Sequence, residues 1–192
     1  MRKNNFIILS GKLITVLLGS LISASQLIAV RYPIVDTGQV QNYDNTRPID
    51  PPEEGESFYG QDAQYNAVQN QSSYRDNGDG TITDLITGLM WVKARGEKVT
   101  WAEANTGAGE NRVGDYEDWR MPTIKDLYSL IDFKGYIDPA GDNSVPFIDT
   151  DFFDFVYGDE DAGERAIDSQ DWTATEYVHF TMNNDSTVFG VN

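Results

Sequence analysis

Three aspartates crowd two glycine dipeptides in the stretch YRDNGDGTITD, Tyr74 to Asp84. Carboxylates on a glycine-rich loop can converge on a hard divalent cation, which makes Asp76, Asp79 and Asp84 the candidate metal ligands and calcium the candidate ion. An EF-hand frame does not fit them. With Gly80 as the sixth-position glycine, Arg75 and Ile86 fall where Asp and Glu are needed. With Asp76 as the first ligand, Gly78 and Gly80 occupy positions that need oxygen donors. The same residues also read as a turn. Asn77-Gly78 and Asp79-Gly80 are consecutive turn dipeptides ahead of the alternating Thr81-Ile82-Thr83, a strong hairpin signal. Turn chemistry is the favoured reading, with the cation site kept as the alternative.

Other chemistry is sparse. Tyr157, Trp172 and Tyr177 lie in or beside an acid-rich stretch, where aromatic rings can stack on sugar faces; they are the candidate ligand-binding residues. For Trp172, packing in a core is the better reading. The single histidine, His179, alternates with Tyr177 and Thr181 as on a strand, and no Ser or Lys constellation flanks it. Cysteine is absent, so there is no disulfide, no thiolate zinc site and no thiol nucleophile. Carboxylates are abundant, but in so acidic a chain abundance does not single out a catalytic pair. An enzyme is disfavoured.

The segments that must position these residues fall into three zones. Residues 1–28 have the layout of a signal peptide: Arg2 and Lys3, an apolar stretch from Phe6 to Val30, and the small residues Ser23, Ala24 and Ser25. An uncleaved anchor is the alternative, because Leu13 to Val30 carries no charge and approaches a spanning length. Either way the remainder is expected to leave the cytoplasm, as a secreted, periplasmic or surface protein. Any membrane contact would then run through this leader alone.

Export sharpens the charge. The chain carries net −17, and removal of Arg2, Lys3 and Lys12 with the leader leaves 11 basic against 31 acidic residues, net −20. Nucleic acid is excluded as a partner by that balance, since phosphate binding needs a basic surface. Anionic polysaccharides and lipids are disfavoured for the same Coulombic reason, whereas divalent cations are attracted. Eleven acids lie between Tyr136 and Asp171 against one base, Arg165. A long solvated loop is the plain reading of that run.

Residues 29–72 hold Pro33, Pro48, Pro51 and Pro52 among Asn, Gln, Asp and Gly, and read as an extended lead-in without a core of its own. Residues 73–192 carry the domain. Leu89 to Val92 suit a largely buried strand. Thr100 and Glu103 form a capping box ahead of a helix that turns Trp101 and Ala104 inward and that Gly107 and Gly109 are expected to end early. In DWRMPTIKDLYSLIDF, Thr123 caps a second helix with Asp126 in its first turn. Ile124, Leu127, Leu130 and Ile131 make its apolar stripe. Arg120, just outside the cap, is expected to pair with Asp115 or Asp118.

Taken in order, YPIVDTGQ, FYGQDAQY, DNGDGTITDLITGLMW, TWAEA, DWRMPTIKDLYSLID and DWTATEY resemble a bacterial domain family named for the C-terminal domain of a Legionella collagen-like adhesin. The resemblance runs from about residue 32 to the end. It implies an α+β, C-type-lectin-like fold with small antiparallel sheets, two short helices and long irregular loops. Trp91, Trp101, Trp119, Arg120, Pro122 and Thr123 would be its structural motif. RMPT before a helix is similar to the Arg-Leu-Pro-Thr motif of formylglycine-generating domains, whose catalysis relies on the cysteines this chain lacks. Relatives often carry cysteines in the lead-in, the adhesin has a collagen-like stalk, and the family domain usually continues beyond VFGVN; the chain is therefore expected to be a partial member, unless Thr187 to Val191 is itself the closing strand. The resemblance implies an exported binding or adhesion module for glycans or surface polymers. The Glu-Pro-Asn and Gln-Pro-Asp tripeptides of calcium-dependent lectins do not occur. A non-catalytic envelope protein without a small ligand is the alternative.

Overall fold

The computed structural model describes residues 9–10, 33–65, 71–138 and 143–191, and its class is α+β, as expected. Strands β1 (Leu9–Ser10), β2 (Asn42–Tyr43) and β3 (Pro48–Ile49) precede the domain proper. β4 (Tyr74–Asp76), β5 (Thr81–Asp84) and β6 (Met90–Val92) follow, then helices α1 (Trp101–Glu110) and α2 (Ile124–Tyr128). A hairpin of β7 (Asp171–Glu176) and β8 (Val188–Val191) comes last.

YRDNGDGTITD is the β4–β5 hairpin, with Tyr74 opposite Asp84 and Asp76 opposite Ile82. Gly78 and Gly80 take positive φ, and Asn77 closes the loop by donating its N–H to the Thr81 carbonyl. The Asn77 side chain also donates to the hydroxyls of Thr81 and Thr83, which satisfies two buried threonines on one face of β5. β6 pairs with β5, and the sheet order is β1-β6-β5-β4. β1 is the only part of the leader among the described residues, and its pairing with Trp91 and Met90 is a backbone fact. The other leader residues, the expected cleavage region among them, lie outside the described residues.

Alternation along a strand points successive side chains to opposite faces, and here both faces are covered. Leu89 and Trp91 join Ile82, Leu127, Leu130 and Phe153 in one apolar cluster, on the α2 side. Met90 and Val92 join Ala104, Ala108, Trp119 and Met121 in a second, on the α1 side. That is why LMWV reads as an unbroken apolar run.

The expected capping box of Thr100 with Glu103 forms, and the expected Thr123 cap is itself a capping box, with Asp126 returning the bond. Two expectations about the helices need correcting. α1 continues through Gly107 and Gly109 to Glu110. Ala104 and Ala108 are buried one turn apart, and that packed stripe outweighs the poor helix propensity of the glycines, about 1 kcal/mol each. Arg120 pairs with Asp126, Nη1 to Oδ2 at 2.8 Å, and not with Asp115 or Asp118. The Asp126 carboxylate already receives the Thr123 N–H and hydroxyl, so it presents a fixed, half-desolvated acceptor beside the guanidinium.

The lead-in is less featureless than its composition suggests. β2 and β3 form a small hairpin around the buried Asn42, and Asp36 bridges Gln71 in parallel. Gln39 donates to the Phe133 carbonyl, which ties the segment to the domain. At the other end, Thr187 to Val191 does supply a strand: β8 lies antiparallel to β7, with Asp171 opposite Val191.

Candidate functional site

The sheet and α2 leave an apolar cavity of about 210 Å³ between the second half of the domain and the end of the first cluster. Leu127, Leu130 and Ile131 line it from α2 and the turn after it, Phe147 and Ile148 from the following loop, and Val191 from β8. Phe155, Tyr157, Ala166 and Ile167 close it from the acid-rich loop.

That loop is held by its own polar groups. Asp154 donates its N–H to Lys93, and Ala94 bridges Asp154, which extends the line of β6. Gly158 donates to the Ala166 carbonyl, Arg165 pairs with Asp168, and Lys98 pairs with Glu164. Much of the acidic run is thus spent on loop geometry, so the expectation of a merely solvated loop is incomplete.

At the floor lies a buried ionic cluster. Arg95 donates through Nε to Asp171 Oδ1 at 3.1 Å and through Nη2 to Oδ2 at 2.8 Å. It also donates to the Ser169 hydroxyl and carbonyl, at 2.7 and 2.8 Å. The Ser169 hydroxyl in turn donates a hydrogen bond to the Val156 carbonyl, and the guanidinium lies 5.1 Å from the centre of the Phe155 ring. Burial pushes the Asp171 carboxyl up to about 6, with the Arg95 charge and hydrogen bonds only partly offsetting it. The cluster is neutral as a pair and internally satisfied.

Tyr157 is different. Its hydroxyl is buried and has no hydrogen-bond partner among the described residues, although the ring packs edge-on to Phe155. Burial raises its ionisation above the ordinary range, so the group is a neutral O–H. An unsatisfied buried hydroxyl is costly and therefore rare.

Of the three aromatic candidates, the structure brings only Tyr157 to the cavity. Trp172 packs against the second cluster and donates its indole N–H to Val99 at 3.1 Å, the core role expected of it. Trp101 donates to the Thr173 carbonyl at 3.0 Å, so the two tryptophans join the start of α1 to β7. Tyr177 is exposed, tilted against Phe189. His179 is not on a strand: β7 ends at Glu176, and His179 lies exposed in the β7–β8 connection.

The proposed cation ligands are not brought together. Asp76 accepts the Gly78 N–H and pairs with Lys93 at 2.8 Å. Asp79 accepts the N–H and hydroxyl of Thr81. Asp84 is buried and uses Oδ1 for the N–H groups of Ile86 and Thr87. Among the described residues no three acidic or histidine side chains are arranged to hold a metal ion. The reason is local: each carboxylate serves the turn beside it.

Trp91, Trp119 and Pro122 are buried, and Trp119 donates its indole N–H to Val113. The residues sequence reasoning missed are Arg95, Ser169 and Asp171. An Arg three residues past a strand buried on both faces is the available signal for Arg95. Asp171 was hidden as one acid among eleven.

Residues 80–192 match the family model described as the Lcl C-terminal domain. Neither the curated proteins nor the solved structures give a match.

Proposed function

The chain belongs to the Lcl C-terminal domain family, and from that premise we propose that it is an exported, non-catalytic binding module of adhesion type. It acts in the cell envelope or outside the cell, and it recognises glycans or other surface polymers through the loop face around the cavity. The fold is C-type-lectin-like, a reading supported by two helices on small antiparallel sheets with long loops.

The observation that carries this reading is the cavity itself: apolar walls and a neutralised charge pair at the floor. Such concave sites with a few polar groups are the usual form of a recognition site. A net charge near −20 after loss of the leader's bases favours uncharged polymers over sulfated or phosphorylated ones. Non-catalytic action is supported by the state of the polar groups, because the Ser169 hydroxyl is held between Arg95 and Val156 and no base addresses it.

A second reading, an envelope interaction protein without a small ligand, is favoured by the β7–β8 connection, where Val178 is 88% exposed and Phe180 66%. An array of neutral and anionic polysaccharides, probed with the exported chain with calcium and with a chelator, separates the two. Binding to neutral polymers that Ala166→Phe abolishes supports recognition at the cavity. An empty array leaves the interaction protein as the better account.

A further inference from the structure

Leu130 and Ile131, which line the apolar cavity, also line a second pocket, of about 380 Å³. Its walls come from four places in the chain: the lead-in around Asp36, the stretch around Ser72 that enters β4, the turn from Leu130 to Lys134 after α2, and Asp149. The bridge between Asp36 and Gln71 and the bond from Gln39 to the Phe133 carbonyl hold the lead-in in place. The pocket therefore exists because the lead-in is laid against the domain. Much of its wall lies ahead of residues 80–192, the stretch that matches the family.

The lining differs in kind from that of the cavity. Asp36, Asp132 and Asp149 each use Oδ1 to accept a backbone N–H, from Gly38, Lys134 and Asp151, at 2.8, 3.0 and 3.0 Å. The second oxygen of each has no partner among the described residues and keeps its capacity to accept. Lys134 stands exposed beside them, in no ion pair among the described residues. Gln71 and Ser72 both donate and accept, while Val40, Leu130 and Ile131 add apolar surface.

This mixture narrows the ligand. Among the described residues no three acidic or histidine side chains are arranged to hold a metal ion. An anion would meet three carboxylates against one lysine. An organic cation would offer donors alone and set its charge beside Lys134. A neutral sugar carries O–H donors, oxygen acceptors and C–H faces together, and hydroxyls that donate to carboxylates form charge-assisted bonds about twice as strong as neutral ones. A cavity of about 150 Å³ holds benzene, so about 380 Å³ holds on the order of fifteen non-hydrogen atoms, which is a single hexose.

We propose that this pocket binds one neutral hexose unit, with hydroxyls donating to Asp132 and Asp149 of the domain and to Asp36 of the lead-in. The proposal rests on the reading of the chain as a binding module for uncharged surface polymers. It names the unit recognised: a terminal or branch hexose with free adjacent hydroxyls and no acid group. The group that reads hydroxyls is then the polar pocket, joined to the cavity through Leu130 and Ile131.

The test titrates the isotope-labelled exported chain with the methyl α-pyranosides of glucose, mannose and galactose, and with methyl α-glucuronide as the charged counterpart. Amide shifts report both affinity and place. At least one neutral hexoside is expected to saturate, with shifts at Gly38 and Lys134, whose N–H groups the carboxylates hold. The glucuronide is expected to bind at least about tenfold more weakly. Asp132→Asn and Asp149→Asn keep the oxygen that holds each turn and convert the second acceptor into a donor, so each should weaken binding about tenfold or more. Val40→Trp, at a position 74% exposed, fills the pocket without touching the core and should abolish binding. Glu97→Gln removes an exposed acid outside the pocket and should change nothing.

No saturable shift of the folded chain by any neutral hexoside, a glucuronide bound as tightly as the hexosides, or indifference to the Asn variants and to Val40→Trp would each overturn the proposal. Failure of the wider reading looks different. Polymer binding on the array that Val40→Trp leaves intact sinks the hexose pocket and keeps the binding module. Hexoside binding here with an empty array keeps the pocket and removes the polymer.

Discussion

Arg95 and Asp171 lie 76 positions apart in the chain and meet in two side-by-side hydrogen bonds of 2.8 and 3.1 Å, with both side chains almost wholly buried. The pair fastens the segment after β6 to the first residue of β7. It therefore couples the central sheet to the terminal hairpin. Arg95→Met leaves the Asp171 carboxylate buried without its cation and is expected to cost about 3–5 kcal/mol at pH 8. At pH 5 the loss should be smaller, because a protonated Asp171 no longer needs the cation. Urea denaturation of the variant at the two pH values checks both statements; equal losses would mean that Asp171 does not titrate between them.

The same carboxyl gives stability a pH dependence of unusual sign. Its folded value is pushed up to about 6 from an ordinary 3.8, so between those values the folded chain binds the proton and the unfolded chain does not. Stability from this group is therefore present at low pH and is lost as pH rises through about 6, by an amount on the order of 3 kcal/mol. Asp171→Asn removes the titration. The difference in unfolding free energy between parent and variant should change across pH 4 to 7 and be flat above it.

Asp126 works in the opposite direction. Burial alone would raise its carboxyl, but the Arg120 hydrogen bond, the Thr123 N–H and hydroxyl, and the Arg120 charge together hold it below the usual 3.8. Its contribution is thus complete above pH 3.8 and is lost as pH falls further. Thr123→Ala, which removes one side of the capping box, should cost about 1 kcal/mol at neutral pH. Asp126→Ala should cost more, because it also strips Arg120 and the Thr123 N–H of their acceptor. Thermal melts of the two variants at pH 7 and at pH 3 give the ranking. The gap between Asp126→Ala and the parent should narrow at the lower pH.

How far the sequence could be read depended on the range of the interactions. Local devices were legible: the Asn-Gly and Asp-Gly dipeptides gave the β4–β5 hairpin, and Thr-x-x-Glu and Thr-x-x-Asp gave both helix starts, because donor and acceptor lie within three residues. The length of α1 was misjudged because the burial of Ala104 and Ala108 depends on Trp119 and Met121, which are distant in the chain. The site was misjudged for the same reason. Arg95 finds Asp171 and Ser169 across more than seventy residues, and no short pattern announces such a meeting. The sequence marks Tyr157 for its ring; that its hydroxyl is buried without a partner among the described residues shows only in the packed structure.

The turn of the β4–β5 hairpin is pressed against a second loop, and one glycine makes that possible. Gly114 has φ of +65°, and a Cβ there would lie 2.8 Å from Thr81 Cγ2 and 3.0 Å from Asp79 Oδ2. Gly114→Ala combines a left-handed backbone with a clash against a buried strand residue. A loss of more than about 1 kcal/mol is expected. Gly163→Ala is the control: its φ is +83°, but nothing lies within 4 Å of the added carbon, so it isolates the backbone cost. Urea midpoints that do not separate the two variants would refute the close approach of Gly114 to the hairpin.

The hairpin also bears on calcium. Asp76, Asp79 and Asp84 are the candidate ligands because carboxylates on a glycine-rich loop can converge, yet each already accepts from its own turn. To converge on one ion they would have to turn away from the positions their own turns hold them in, and Asp76 would have to leave Lys93 at 2.8 Å. The exchange gives up several hydrogen bonds that define the loop, so calcium at millimolar concentration is expected to leave the melting temperature where a chelator leaves it. Asp79→Asn should lower stability equally with and without calcium, since what it weakens is acceptance from Thr81. A calcium-dependent rise in melting that Asp79→Asn abolishes would restore the cation reading. It would also mean that the loop adopts a second arrangement in which the carboxylates turn toward one another.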